Sequence, residues 1–380
     1  MSSLTWSADQ VRALEIGAKI PSSLKSVWTM TGPAGSGKTS LMLEFIKMFE
    51  AKKIEVNVLA PTGKAALVIQ KKTEHDASTI HSALYGGARK VDGRLIFERP
   101  REVCAPGGVV IVDESSMVGQ KLYRDLNLKL PPRAHILYVG DKAQLEPVND
   151  TWGPALDDAD IQLVEVHRQA LDNPILYCAT EVRNGRPFRA WVPGRCEVSA
   201  GDPIEWYINR MDKDAVLLTC MNNVRHDMNA GIRENLGIAH ELVAVGDRLV
   251  CLTNHKHTGV PNGETLTVTQ VWPNGEDYLV LTQEYPGIEF ELRSYLRGDS
   301  AKDSYYELTK RMKPHTILHW DYGYALTVHK SQGSQYANVG FIRDSWYYRL
   351  KTSPQEKDTD FVRRLTYTAV TRAVESLTIF

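Results

Sequence analysis

Between residues 27 and 140, short runs of β-branched and aromatic residues alternate with longer stretches whose apolar positions recur at helical spacing. The pattern predicts strand 27–31, helix 38–49, strand 54–60, helix 62–71, strand 109–113, helix 117–128 and strand 135–140. Strands alternating with helices imply a parallel sheet, whose ligands gather at the carboxyl ends of the strands. Tyr85 to Pro106 breaks this rhythm. Within it, Lys90-Val91-Asp92-Gly93-Arg94-Leu95-Ile96-Phe97 reads as a β-hairpin turning at Asp92-Gly93.

A second α/β region starts near Ala159, with a strand at Ala215 to Thr219 and a helix at Arg225 to Leu236. From about Gly246 to Tyr306, turn signals at Pro261-Asn262-Gly263, Pro273-Asn274-Gly275 and Pro286-Gly287 punctuate extended runs, which predicts a small all-β insertion. Tyr324 to Val328 and Ser376 to Phe380 then read as strands returning to the second region. The expected fold class is α/β.

The chain has 380 residues, 43% of them hydrophobic, enough for two or three domains with their own cores. A net charge of −1 argues against a coat-like or histone-like nucleic-acid binder, while leaving room for a narrow basic channel. Cysteines 104, 178, 196, 220 and 251 form no C-x-x-C pair, as expected of a reducing compartment. With no membrane-length apolar stretch and no charged-then-apolar leader, the expectation is a soluble, intracellular, cytoplasmic protein, phage-encoded or cellular.

Gly32-Pro33-Ala34-Gly35-Ser36-Gly37-Lys38-Thr39 is a complete phosphate-binding loop, entered from a predicted strand and left by a predicted helix. Glycines at 32, 35 and 37 let successive N–H groups converge on phosphate oxygens, and the following helix points its positive end at the same anion. Lys38 is expected to reach the β- and γ-phosphates of ATP and Thr39 to hold Mg²⁺, with Asp113 holding the ion's water shell from the far strand. Glu114 is the candidate base for the attacking water, and Gln144, after another strand, a candidate sensor of the γ-phosphate. Ala60-Pro61-Thr62-Gly63-Lys64-Ala65-Ala66 and Ser78-Thr79-Ile80-His81-Ser82 are weak signals alone, each as readily an ordinary turn as a phosphate grip.

Taken with His167-Arg168-Gln169, Val328-His329-Lys330-Ser331-Gln332-Gly333 and Tyr367-Thr368-Ala369-Val370-Thr371-Arg372-Ala373, these motifs closely resemble superfamily 1 helicases of the RecD/Dda-like subgroup. They occur in family order from Gln10 to Arg372, over nearly the whole chain. The resemblance implies two RecA-like motor domains with ATP in the cleft between them. The first would span 1–155 with a pin hairpin at about 85–106, the second 156–245 plus 321–380, and an SH3-like insertion 246–320. It implies that Gln10 reads adenine, that Arg168 and Arg372 face the triphosphate and that Gly333 offers it a backbone contact. Pro61, Thr62, Thr79, His81, His329, Lys330 and Ser331 match positions that line the single-strand path, and Phe97 is a candidate strand-separating wedge. Relatives often carry glutamate where this chain has Gln335, which puts a ribose contact there in doubt.

The activity expected is that of an ATP-dependent DNA helicase moving 5′→3′ on single-stranded DNA, with single strands and duplex junctions as partners and no membrane. A monomer is expected, and a single-strand-binding protein partner is left open. The chain ends at Phe380, soon after the last motif, so the expectation is a minimal motor. An RNA or protein–DNA remodelling ATPase that separates no duplex is the main alternative; a small-molecule phosphotransferase and a non-catalytic strand binder fit fewer of the motifs.

Overall fold

The structure is a computed structural model and describes residues 6–85, 88–91, 94–97, 102–147, 150–165, 173–186, 195–255, 258–311 and 316–380. The chain divides into two compact units, residues 1–188 with 363–371 and residues 189–362 with 372–380.

The first unit is built on a six-stranded sheet of order β3-β2-β6-β7-β1-β8, with β1 (Val27–Thr31), β2 (Val56–Ala60), β3 (Ala77–Thr79), β6 (Val109–Val112), β7 (His135–Gly140) and β8 (Ile161–Gln162). Every pairing in it is parallel. Alternate residues feed two separate cores. Val58, Ile111, Leu137 and Val139 pack with Leu41, Phe45 and Phe49 of the helix Lys38–Ala51. Leu59, Val110, Val112, Ile136 and Tyr138 pack on the opposite face with Leu84 and Leu126. A strand covered on both faces must be apolar throughout, which explains Val109-Val110-Ile111-Val112. Burying each large apolar side chain stabilises by roughly 1.5–3 kcal/mol.

The predicted helix 117–128 is split. A 3₁₀ turn, Ser115–Met117, is followed by extended Val118 and a bridge from Gly119 to Trp152, and the helix proper is Gln120–Leu128. Strands β4 (Ala88–Val91) and β5 (Arg94–Phe97) pair antiparallel as the predicted hairpin, while its turn, Asp92-Gly93, lies outside the described residues.

The second unit carries a parallel sheet of order β16-β10-β17-β18-β9. Its strands are β9 (Cys196–Val198), β10 (Ala215–Thr219), β16 (Ala325–Thr327), β17 (Tyr336–Ile342) and β18 (Ala373–Ile379). Between β10 and β16 the chain forms a closed five-stranded barrel of β11 (Arg248–Cys251), β12 (Thr265–Asn274), β13 (Asp277–Thr282), β14 (Phe290–Arg297) and β15 (Ile317–Tyr322). The insertion is not all-β. A helix, Lys302–Arg311, precedes β15, and this crossover lets β14 and β15 pair parallel where a tight turn could not. The helix Asn222–Asn235 is held near the barrel by buried ion pairs, Arg225 to Asp321 at 2.8 Å and Arg233 to Asp247 at 2.9 Å.

All five cysteines are buried thiols. Among the described residues no helix is long and apolar enough to cross a membrane.

Candidate active site

The loop after β1 has the geometry its glycines predict. Gly35 (φ 78°) and Gly37 (φ 83°) lie in the left-handed region that side chains disfavour. Gly32 is needed for close approach, because a Cβ there would stand 2.6 Å from Ser36 Oγ and 2.9 Å from Leu163 Cβ. Gly37 caps the helix Lys38–Ala51 without a side-chain bond, so its first amides face the loop. Lys38 Nζ donates to the carbonyls of Gly32 (2.7 Å) and Pro33 (3.0 Å), which sets its ammonium inside the loop. Gln10 is buried, and its Nε2 donates to the carbonyl of Ser36 at 2.9 Å, which joins the N-terminal helix to the loop.

The two carboxylates follow β6. Asp113 N–H continues the sheet to Leu59 O, and Asp113 Oδ1 accepts from the N–H of Glu114 at 2.8 Å. Burial, and then the neighbouring Glu114 charge, push the Asp113 carboxyl up to about 6, against the pull of Lys38. Glu114 itself sits at φ 50°, ψ 37°, a left-handed conformation that costs a non-glycine residue on the order of 1 kcal/mol. A desolvated carboxylate beside a second one is a site whose charge a divalent cation relieves, so the chemistry of Asp113 fits Mg²⁺. Among the described residues no three His, Cys, Asp or Glu side chains converge into a metal cluster.

The turns that follow β6 and β7 both bury polar side chains. Among the described residues, Ser115 Oγ and Ser116 Oγ after β6 and Gln144 Oε1 after β7 are buried without a hydrogen-bond partner. A Cβ at Gly140 would lie 2.6 Å from Ser115 Oγ, so glycine there lets the Ser115 turn pack against the end of β7. Asp141 accepts from Ala143 N–H at 3.0 Å and from Tyr367 Oη, while Tyr367 Oη accepts from Ala34 N–H of the phosphate loop at 2.9 Å. Thr368 Oγ1 accepts from Leu145 N–H at 3.1 Å.

The residues expected on a nucleic-acid path fall into two groups. In the first unit, Ala60 of β2 registers with Thr79 of β3, which brings Pro61, Thr62, Thr79 and His81 to one edge of the sheet. The hydroxyls of Thr62 and Thr79 accept from Ala65 N–H (3.2 Å) and Ser82 N–H (3.1 Å), fixing the two helix starts. His81 is exposed beside Tyr85, ring centroids 5.8 Å apart. In the second unit, His329 stacks on Phe361 at 6.1 Å, Lys330 is ion-paired with Asp299, and Ser331 is buried with its Oγ donating to Val328 O. Gly333 takes φ 74°, and buried Arg372 donates to the carbonyl of Ser334 at 3.1 Å. Arg168 and the side chain of Phe97 lie outside the described residues.

Residues 5–193 match the family described as AAA domain, and residues 322–380 match the UvrD-like helicase C-terminal domain. The chain is 28% identical over 367 residues to the ATP-dependent RecD2 DNA helicase of Deinococcus radiodurans, covering 90% of this chain and 45% of that protein. It is 34% identical over 188 residues to the ATP-dependent DNA helicase Dda of enterobacteria phage T4, covering 47% of this chain and 42% of that one. The chain spans about half the length of these curated relatives. The chain belongs to the superfamily 1 helicases, RecD/Dda-like group. A crystal structure of Bacteroides Pif1 helicase with ADP-AlF3 and single-stranded DNA shares the fold, at TM-score 0.58 and 16% identity over 99% of this chain and 92% of that one.

For this superfamily 1 chain, sequence reasoning assigned no role to Tyr367, Asp141, Ser115 or Ser116. Tyr367 opens a quoted motif, Ser115 and Ser116 directly follow Asp113-Glu114, and Asp141 lies three residues before Gln144. No local signal marked the Tyr367–Asp141 pair, because the two residues are far apart in the chain and only the fold joins them.

Proposed function

We propose that the chain is an ATP-driven motor that translocates 5′→3′ on single-stranded DNA and separates duplex at junctions. The observation that carries this reading is the electrostatic set Lys38, Asp113 and Glu114 at the ends of β1 and β6, in a chain of a helicase family.

In this reading Gln10 reads adenine, the loop amides and Lys38 bind the phosphates, and Thr39 and Asp113 hold Mg²⁺, which supplies charge neutralisation on the phosphate oxygens when bound. Glu114 accepts the proton of the attacking water, and the Gln144 side-chain amide donates to the γ-phosphate through Nε2, while its Oε1 can only accept. Arg372, and by resemblance Arg168, stabilise charge on the transferring phosphoryl group, an effect on the order of 10³ to 10⁵ in rate. Gly333 offers its backbone to the nucleotide. Pro61, Thr62, Thr79 and His81 on one unit, and His329, Lys330 and Ser331 on the other, contact the strand. The two units act as RecA-like motor domains, the barrel as an SH3-like module, and the hairpin β4–β5 as a pin with Phe97 at the junction.

Lys38→Ala tests the nucleotide site, with an expected loss of DNA-stimulated ATPase in a folded protein; full turnover in that variant would remove the assignment. Unwinding of 5′-tailed but not 3′-tailed duplexes is expected of the wild type. ATP turnover without strand separation on either substrate would instead make the protein a translocase that remodels.

A further inference from the structure

Four charged side chains meet around Lys330 in the second unit. Lys330 Nζ lies 2.8 and 2.7 Å from the two carboxylate oxygens of Asp299. Asp299 is also 3.8 Å from the Arg225 guanidinium, which itself donates to Asp321 at 2.8 Å. Arg225 and Asp321 are buried, their side chains 0% and 5% exposed, whereas Asp299 is 52% and Lys330 26% exposed. The inner pair is therefore a fixed part of the fold and the outer pair is open to solvent.

Asp299 is presented by a hydrogen-bonded turn. Gly298 before it takes φ 83°, donates its N–H to Trp320 O of β15 at 2.8 Å and accepts from His319 Nε2 at 2.8 Å. Burial works against the Asp299 charge, but the hydrogen bond and charge of Lys330, then the charge of Arg225, outweigh it and hold the carboxyl below its ordinary range. Burial and Arg225 in turn pull the Lys330 ammonium below the ordinary lysine range, with Asp299 opposing them. Two cations face two carboxylates, so the cluster is neutral with Asp299 and carries one positive charge without it. One phosphate in place of Asp299 restores neutrality.

We propose that Asp299 is a built-in stand-in for a nucleic-acid phosphate, occupying Lys330 until a backbone phosphate of the single strand displaces it. The proposal rests on the reading of Lys330 as a contact to the strand. Displacement lowers the affinity for any strand, because every bound phosphate must first exchange with a carboxylate, and the same carboxylate competes for Lys330 when the strand leaves. Asp299 is a positioning residue in this scheme, acting on nucleic acid only through Lys330.

The test is binding of a fluorescent oligothymidylate to the full chain without nucleotide, at low and moderate salt. Asp299→Asn should bind roughly fivefold more tightly at low salt, the scale of an accessible ion pair, with the gain shrinking as salt rises. Lys330→Ala should bind more weakly than wild type, and Asp299→Asn in the Lys330→Ala background should give no gain. Unchanged or weaker binding by Asp299→Asn overturns the proposal, as does an equal gain in both backgrounds, which would mean a general charge effect. If Lys330→Ala alone binds like wild type, the strand contact itself fails, and the single variant reports that separately. Asp299→Ser, with a neutral side chain unlike asparagine in shape, must reproduce the gain, which guards against a local rearrangement of the turn.

Discussion

Tyr367 donates its hydroxyl to Asp141 and receives the N–H of Ala34, so one buried phenol links the strand end at Gly140-Asp141 to the phosphate loop. Burial, and next the Asp141 charge, push the phenol well above its usual titration range, so it remains a hydrogen-bond donor throughout physiological pH. Tyr367→Phe keeps the ring but strands a buried carboxylate oxygen and a loop amide. The expected cost is about 1–3 kcal/mol in urea unfolding, with a slower ATPase because the loop loses an anchor. Wild-type stability together with wild-type turnover would show that the link carries nothing.

How much of this was legible beforehand depends on the range of the interaction. The β/α alternation was readable because strands covered on both faces must be continuously apolar, as in Val109-Val110-Ile111-Val112. The phosphate loop was readable because its glycines answer to local backbone geometry at Gly35 and Gly37. The insertion's turns were visible, but its closure was not, since the parallel β14–β15 pair leaves no local signature and the helix Lys302–Arg311 carries only a short apolar stripe at Tyr305 and Leu308. Pairings such as Tyr367 with Asp141, Arg233 with Asp247 and Lys330 with Asp299 join residues whose types are unremarkable one at a time. Only the fold brings them together.

Glu114 combines a proposed role as base with a left-handed backbone. Chemistry and strain separate in two variants. Glu114→Gln removes the base and keeps the strain, so steady-state ATPase should fall by roughly 10²- to 10⁴-fold at near-unchanged melting temperature. Glu114→Gly should abolish turnover equally yet relieve the conformation, giving a variant more stable than Glu114→Gln, by on the order of 1 kcal/mol before the flexibility of glycine in the unfolded chain is subtracted. Equal stability of the two variants would mean that no net strain is stored there.

Arg233 is nearly buried and makes four hydrogen bonds, two to Asp247, one to Tyr322 Oη and one to the carbonyl of Glu241. Its guanidinium also lies over the Tyr322 ring, 4.3 Å from the centroid. Arg233→Ala leaves Asp247 as a buried carboxylate without its cation, and should destabilise by about 3–5 kcal/mol. Arg233→Met with Asp247→Leu removes both charges, and should recover much of that loss. If the double replacement is no more stable than Arg233→Ala in denaturant titrations, the pair's remaining hydrogen bonds matter more than its charge balance.

His329 gives the protein a pH dependence whose sign follows from its environment. Burial alone drives its imidazole below the ordinary histidine value of 6.5, so the folded chain prefers it neutral. Above 6.5 neither state binds the proton and His329 contributes nothing to the slope. As pH falls through 6.5 the unfolded chain protonates first, so stability is lost until the folded-state value is passed and the penalty is complete. His319 is also lowered, by burial foremost, and adds a slope of the same sign. The difference between wild type and His329→Phe isolates one group. Relative to wild type, the variant should gain stability on going from about pH 8 to about pH 5.5. A difference constant across that range would mean that His329 titrates in the fold as it does in water, despite being stacked on Phe361.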